Sequence, residues 1–226
     1  MPVVAAAVCP HPPLLVPEVA SGAASDLDEL RAACLAAIDG LATADSVLVV
    51  GSAATDATYD GRTGGSFGPY GAPTVRIGSG DPVLPLSLAM GGWLLDQSKA
   101  AHVSRIYRAV PVDAPPADCL QLGKELAGGN DRLALLVMGD GAPRRSEHSP
   151  VHLHPLAEIF DSTVAQAFAA ADADVLAALD PDLATELQAA GRAPWQVLAG
   201  ALGGLSGELA YHAAPYGVGY FVASFS

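Results

Sequence analysis

The sequence has few basic residues, few cysteines and no pair of closely spaced thiols. Its 226 residues include 24 Asp and Glu but only 11 Lys and Arg, which gives a formal net charge of −13. Proteins that bind nucleic acids need clustered Lys and Arg against the phosphates, so this composition argues against a nucleic-acid partner. The three cysteines form no CxxC motif for zinc or dithiol chemistry, and we expect them to be buried and reduced.

Long apolar segments are also missing. No uninterrupted apolar stretch approaches the roughly 18 residues that a membrane-spanning helix needs. The first basic residue is Arg31, so the N-terminal stretch lacks the positive region of a signal peptide, and Pro10, Pro12 and Pro13 interrupt its apolar run. We therefore expect a cytoplasmic protein without a membrane partner. The P-loop, G-x-G-x-x-G and G-x-S-x-G motifs are absent, which removes support for nucleotide binding and for a standard serine hydrolase.

The apolar residues that are present alternate between two periodicities. Hydrophobic residues make up 51% of the chain, enough to bury a sizeable core, and the length favours one domain over residues 1–226. Short apolar runs alternate with helical patterns, which predicts a single α/β domain with a mostly parallel central sheet and helices on both faces. The strands are predicted at residues 3–8, 46–50, 103–110 and 133–138, with a terminal pair at 208–213 and 217–225.

Helical patterns and one long irregular stretch fill the remainder. Ser25 and Asp28 form a capping-box pattern that predicts the start of the first helix. Further helices are predicted at residues 85–97, 118–127, 155–179 and 183–190, with Gly191 as a C-terminal cap and Pro194 opening the next helix. Residues 51–81 show no periodicity, and loops of that length are usually functional or disordered.

Ligands of open α/β sheets collect beyond the carboxyl ends of the strands. The predicted topology brings four loops to that edge, at residues 10–17, 51–71, 111–116 and 139–154. The polar residues that these loops would bring near one crevice are His11, Asp56, Asp60, Asp140, Arg144, Glu147 and His148.

His11 is the most distinctive of these residues. It follows the first predicted strand and is enclosed by Pro10, Pro12 and Pro13. Because proline fixes its own φ angle, the backbone around His11 is rigid, which favours a placed functional group. The alternative interpretation is a histidine of a proline-rich loop without chemical function.

The loop after the fourth strand supplies three candidate substrate-binding residues. Arg144 and Arg145 could hold a carboxylate or phosphate through bidentate hydrogen bonds, and the alternative is an exposed basic pair on an acidic surface. Asp140 lies between two glycines that would let a ligand approach closely, although Asp-Gly is also a common turn signal.

Three features together resemble the class III extradiol dioxygenase superfamily, which includes the catalytic subunit of protocatechuate 4,5-dioxygenase and the Memo proteins. They are the His11-Pro12-Pro13 turn, the valine-rich second strand with its polar loop, and the Pro215-Tyr216-Gly217-Val218-Gly219-Tyr220-Phe221 segment. The resemblance implies an α/β fold in which two His and one Glu hold Fe(II). It also implies a further His as acid/base catalyst and a catechol-like or other small cyclic substrate.

The family pattern carries over to this chain only in part. His11 falls on the first metal-ligand histidine. Asp56 lies near the expected second histidine and could supply an oxygen ligand in its place, whereas an aspartate accepting backbone hydrogen bonds in a turn is the alternative. Gly191 stands where the glutamate ligand is expected, and Glu186 lies more than one turn earlier. His148 is the nearest candidate for the acid/base catalyst, or else a solvated loop histidine.

Two functions are consistent with these residues. The first is a metal-dependent oxidoreductase that uses Fe(II) or another divalent metal to cleave a catechol-like ring. The second is a non-catalytic or repurposed homologue, without a cofactor, that binds a small molecule or a protein through the same crevice. A homo-oligomer is compatible with both, and we expect the purified protein to lack stoichiometric iron.

Overall fold

The computed structural model describes residues 3–129 and 132–226. Nine strands are described in this part of the chain: β1 Ala5–Cys9, β2 Ser46–Ala53, β3 Ala57–Asp60, β4 Gly65–Phe67, β5 Ala72–Ile77, β6 Ser104–Pro111, β7 Leu133–Met138, β8 Gly207–Ala213 and β9 Tyr220–Phe225. The α-helices are α1 Pro17–Ala20, α2 Asp28–Asp39, α3 Leu86–Asp96, α4 Pro116–Ala127, α5 Ala157–Ala170, α6 Ala173–Ala177, α7 Pro181–Leu187 and α8 Arg192–Ala201.

Seven strands form one mixed sheet in the order β3-β6-β2-β7-β1-β9-β8. Strands β1, β7, β2 and β6 are parallel, with Cys9 and Gly51 both opposite Met138. Strands β1, β2 and β7 are buried on both faces, which explains their continuous apolar sequences, whereas β6 is partly exposed. Strands β3, β9 and β8 are antiparallel to their neighbours. The α/β prediction is therefore confirmed, but the sheet is mixed rather than mostly parallel.

Helices cover both faces of the sheet and enclose two hydrophobic cores. Alternate residues of β7 show the division, since Leu136 packs into one core and Leu135 into the other. The first core contains the buried sides of α2 and α3. The second core contains those of α5, α7 and α8 and is centred on Trp195, whose ring meets Phe168 and Phe221 edge to face.

The stretch at residues 51–81, predicted as irregular, contains three strands. Strand β3 adds to the sheet edge beside β6, and β4 and β5 form a separate hairpin with a register shift at Ser66 and Phe67. These strands are only three to six residues long and partly exposed, so they lack the apolar runs that identify a buried strand.

Several predicted helix boundaries are wrong. A 3-10 segment, Ser21–Leu27, precedes α2, so Ser25 does not cap that helix. The helix predicted at 155–179 is divided by Ala171 in the left-handed conformation (φ 49°), and Ile159, expected to be buried, is 62% exposed. Gln188 (φ 57°) ends α7, while Gly191 instead precedes α8.

Close packing explains the Gly91-Gly92 pair inside α3. A Cβ atom on Gly91 would lie 2.5 Å from Val49 Cγ1, and one on Gly92 would lie 2.7 Å from the Tyr107 hydroxyl. The helix therefore approaches the sheet more closely than alanine would allow. No helix in residues 3–129 and 132–226 is both long enough and apolar enough to cross a membrane.

Candidate functional site at the carboxyl edge of the sheet

His11 and Asp140 meet beyond the carboxyl ends of β1 and β7. The backbone N–H of His11 donates to Asp140 Oδ1 at 2.8 Å, and His11 Nε2 lies 3.6 Å from Asp140 Oδ2. The His11 side chain is 11% exposed and that of Asp140 is 17% exposed, so solvent reaches both through a small opening. The predicted juxtaposition of these two loops is therefore present in the structure.

The loops that carry this pair are fixed by the strands beneath them. The N–H of Gly139 donates to the carbonyl of Cys9 at 3.0 Å, which continues the pairing of β1 and β7 to the start of both loops. Pro12 holds φ at −65° and precedes a 3-10 turn, in which the N–H of Leu15 donates to the Pro12 carbonyl. The proline-rich sequence thus fixes His11 as its pattern indicates.

The electrostatics of the pair follow from burial. Removal from water raises the pKa of Asp140, and its hydrogen bond and charge interaction with His11 oppose that rise. His11 Nδ1 is buried and has no hydrogen-bond partner among the described residues. Buried polar atoms normally have a hydrogen-bond partner, so His11 Nδ1 is able to form one further hydrogen bond.

Tyr220 is the third member of the site. Tyr220 is the first residue of β9, the strand that pairs with β1, and its side chain is buried. Burial, together with the nearby carboxylate of Asp140, raises the pKa of Tyr220, so its hydroxyl remains protonated. The site therefore combines a carboxylate, an imidazole and a phenol. The carboxylate can accept hydrogen bonds, and the protonated phenol can donate one.

Arg145, predicted to bind substrate, instead pairs with a buried carboxylate. Its Nη1 donates to Asp161 Oδ2 at 2.8 Å, and Asp161 is fully buried in α5. The other oxygen of Asp161 accepts the N–H of Ala142 at 3.1 Å. Burial raises the pKa of Asp161 while Arg145 opposes that rise. The ion pair thus fixes the loop after β7, and so Asp140, to α5.

Arg144 and His148 lie on the same loop but make fewer contacts. The Arg144 carbonyl accepts the N–H of His154 at 3.1 Å, and Arg144 Nε is buried without a partner among the described residues. His148 is exposed, and its backbone N–H donates to Ser146 Oγ at 3.3 Å. No hydrogen bond or ion pair of the described residues joins His148 to His11, so its catalytic role stays a prediction.

Asp56 lies at a different part of the sheet edge. Its Oδ2 accepts a hydrogen bond from Arg108 Nη2 at 2.7 Å, where Arg108 belongs to β6. Asp56 directly precedes β3, and β6, β2 and β7 separate β3 from β1, so the lateral distance from Asp56 to His11 is roughly 19 Å at the usual strand spacing. The structure therefore does not bring Asp56 to His11, and a shared metal site is not formed by these two residues.

The position aligned with the family's glutamate has no room for a side chain. A Cβ atom on Gly191 would overlap the indole of Trp195, and the Gly191 N–H donates to the Asp140 carbonyl at 2.9 Å. Glu186 accepts a hydrogen bond from His154 Nε2 at 2.9 Å instead. Within residues 3–129 and 132–226, no cluster of three His, Cys, Asp or Glu side chains is arranged to hold a metal. The donors present do not fit a 2-His-1-carboxylate iron site.

Two clefts of the described chain open at other residues. A cleft of about 600 Å³ borders Asp56, Arg108 and the start of α4, and another of about 260 Å³ lies between α7 and the segment after β6. Neither is lined by His11 or Asp140.

Comparisons with known proteins bear on the fold alone. No protein-family model and no curated protein matches this chain. The crystal structure of the uncharacterized protein JW3007 from Escherichia coli K12 is similar, with a TM-score of 0.61 and 12% sequence identity. The match covers 98% of this chain and 99% of that chain, so nearly the whole architecture is shared. At this identity the likeness shows a common fold and carries no activity across.

Two residues of the site have roles that the sequence analysis did not assign. Tyr220 belongs to the C-terminal segment that carries the family resemblance, but its nearness to Asp140 becomes apparent only in the folded chain. Asp161 gives no sequence signal, because an aspartate in an amphipathic helix normally faces solvent. Its burial next to Arg145 becomes apparent only when α5 packs on the sheet.

Proposed function

We propose that this protein is a repurposed relative of the class III extradiol dioxygenases that binds a small hydroxylated ring at His11, Asp140 and Tyr220. The observation that carries the proposal is the double contact of Asp140 with His11. The carboxylate spans the backbone and the ring of one residue, so the pair is held as a unit at the edge where α/β proteins bind ligands.

The chemistry of the three side chains fits a hydroxylated ring. Asp140 can accept a hydrogen bond from a ligand hydroxyl, and the protonated phenol of Tyr220 can donate one. The imidazole of His11 is a side chain of the kind that general acid–base chemistry uses. In this proposal His11 acts on the ligand directly and is not one of three iron ligands.

The missing donors support this choice over ring cleavage. Asp56 is paired with Arg108, Glu186 is paired with His154, and Gly191 has no space for a side chain. Iron-dependent ring cleavage stays the second prediction, because His11 alone matches the family's ligand pattern.

Three measurements on one preparation test the proposal. Elemental analysis gives the iron content before and after anaerobic Fe(II) reconstitution, calorimetric titration gives the binding of catechol, and an oxygen electrode reports ring cleavage. We expect substoichiometric iron, catechol binding and no oxygen uptake. Catechol binding should be lost in His11→Ala and Asp140→Asn, and retained in Asp56→Asn, the matched control that alters a carboxylate away from the crevice.

Two outcomes would overturn the proposal. One iron per chain that is lost in His11→Ala, together with oxygen uptake on catechol, would establish the dioxygenase instead. Catechol binding that is absent, or equal in the wild type and His11→Ala, would remove the crevice as the binding site.

A further inference from the structure

Arg192 is a buried cation whose hydrogen bonds all go to neutral groups. It is the first residue of α8 and is 2% exposed. Its Nη1 donates to the Ala114 carbonyl and to Gln196 Oε1, and its Nη2 donates to the Val112 carbonyl at 2.6 Å. Burial lowers the pKa of Arg192, but a guanidinium in a protein keeps its charge. Buried charges are normally paired with a charge of opposite sign, so the Arg192 guanidinium is able to pair with an anion.

The guanidinium also has unused donors. It carries five N–H groups, and three of them make the bonds above. Nε is buried and has no partner among the described residues, and Nη2 has one further hydrogen. These two nitrogens are adjacent, and paired N–H groups on adjacent guanidinium nitrogens bind carboxylates bidentately.

A cleft of about 260 Å³ lies against Arg192. Its wall is formed by small apolar side chains, namely Val112, Ala184, Ala189 and Ala190. Three exposed polar residues complete the lining, namely Asp113, Thr185 and Gln188. The N-terminal end of the ten-residue helix α8 meets the same cleft, and its dipole adds to the positive potential of Arg192.

Asp113 does not neutralise Arg192 by direct pairing. Its charge favours the charged form of Arg192, but no hydrogen bond or ion pair joins the two side chains in the described part of the chain. Asp113 is exposed, where water and salt screen its charge, while the guanidinium is enclosed. Within the cleft, the charge of Arg192 is therefore screened less than that of Asp113.

We propose that this cleft binds a small organic carboxylate, whose carboxyl group pairs with Arg192 and whose apolar body packs against the alanines. A single guanidinium and an apolar wall suit a monoanion with a hydrocarbon part better than a phosphate, which needs several donors. The volume is below the range of roughly 300–1,000 Å³ for drug-sized ligands, so the ligand is small. The lining of this cleft includes neither His11 nor Asp140, although Gly191, next to Arg192, donates its N–H to the Asp140 carbonyl.

Benzoate and benzamide are matched probes for this site, because they share size and shape and differ in charge. In a titration followed by ¹H–¹⁵N NMR, we expect benzoate to shift the amide signals of Val112, Ala184, Ala189 and Ala190. Benzamide should bind at least about tenfold more weakly, which corresponds to about 1.4 kcal/mol. Equal affinity for the two probes, or benzoate shifts confined to other parts of the chain, would overturn the proposal.

Surface variants test the location without disturbing the buried network. Val112 is 53% exposed at the cleft, so Val112→Trp places a large side chain across the opening while the main-chain bond to Arg192 is kept. Val83 is 59% exposed elsewhere, and Val83→Trp is the matched control. We expect Val112→Trp to abolish benzoate binding and Val83→Trp to leave it unchanged. Equal binding in both variants would contradict the assigned site.

Arg192→Lys separates the effect of the positive charge from that of the guanidinium shape. His11→Ala distinguishes the Arg192 cleft from the His11 crevice. Arg192→Lys keeps the charge but loses the two adjacent N–H donors of the guanidinium, so benzoate affinity should fall by about tenfold or more. His11→Ala should leave benzoate binding unchanged, whatever its effect on catechol. Loss of benzoate binding in His11→Ala with an intact fold would show that the two ligands share one site, and would overturn the proposal of a second one.

Discussion

Asp140 holds both the backbone and the ring of His11, from a position 129 residues further along the chain. The two residues meet because β1 and β7 are parallel neighbours, with Cys9 opposite Met138. Each residue lies two positions beyond its strand, so the register alone brings them to the same place. The pair is thus built on two neighbouring strands near the middle of the sheet.

The ionised carboxylate of Asp140 should reduce the stability of the folded state. Burial raises its pKa, so the folded protein binds this proton more tightly than the unfolded chain does. The cost is therefore complete above the folded pKa, declines as the pH falls towards the unfolded pKa of about 3.9, and disappears below it. We expect Asp140→Asn to melt at a higher temperature than the wild type at pH 8, and the difference to vanish near pH 3.5. Thermal melts over this pH series measure it.

Asp39 provides a control of opposite sign. A hydrogen bond from the Lys99 side chain, and a second from its backbone, lower the pKa of Asp39. That stabilisation is present above the unfolded pKa and is lost as the pH falls through the folded pKa. Asp39→Asn should therefore melt below the wild type at pH 8. Parallel changes in the two variants would contradict the assignment of burial as the cause at Asp140.

The position of this pair could be predicted from the sequence because it depends on strand order and strand ends. Apolar runs identify β1 and β7, and the edge where ligands bind follows from their direction. The partner of Arg145 could not be predicted in the same way. Asp161 is 16 residues away in a helix, and only the packing of α5 shows that it is buried. The sequence predicts a loop over residues 51–71, which would bring Asp56 to the crevice. Strand β3 is short and has no apolar run, so its position beside β6 could not be predicted.

Arg145 should be essential for stability although its neighbour is not. Arg145→Ala leaves the fully buried Asp161 without its charge partner, and breaking a buried ion pair costs about 3–5 kcal/mol. Arg144→Ala is the matched control, because no hydrogen bond of the Arg144 side chain occurs among the described residues, and we expect it to cost less. Urea denaturation of both variants measures the difference.

The double variant Arg145→Ala/Asp161→Asn identifies the cause of that loss. It removes the buried charge along with its partner, so it should be more stable than Arg145→Ala alone. If the double variant were no more stable than the single one, the loss would come from packing rather than from the unpaired carboxylate.

Gly92 should not tolerate a methyl group. A Cβ atom there would lie 2.7 Å from the Tyr107 hydroxyl and would also overlap Ile77, so Gly92→Ala should cost about 1–3 kcal/mol through overpacking. Gly40 is the control, with φ at −63° and nothing within 4 Å of an added Cβ. Gly40→Ala should stabilise the protein by about 0.4–1 kcal/mol, because it restricts the unfolded chain. Equal denaturation midpoints for the two variants would contradict the close approach of α3 to the sheet.

His11→Ala should impair ligand binding more than folding. The His11 ring is buried, but its Nδ1 has no hydrogen-bond partner among the described residues, and its Nε2 lies 3.6 Å from Asp140 Oδ2. Truncation therefore leaves no strong hydrogen-bond partner stranded, which would otherwise cost about 1–3 kcal/mol. We expect the melting temperature to fall by less than about 4 °C, while catechol binding is lost.

Two companion variants calibrate this result. Tyr220→Phe removes a hydroxyl near Asp140 and should likewise weaken catechol binding with little change in the melt. Leu15→Ala, at a fully buried position in the same loop region, should cost about 2–5 kcal/mol and sets the scale for a core residue. A loss of stability in His11→Ala as large as that in Leu15→Ala, with catechol binding retained, would make His11 a structural histidine. The reason for assigning function to the crevice would then be gone, since Asp140 would serve only to hold that histidine in place.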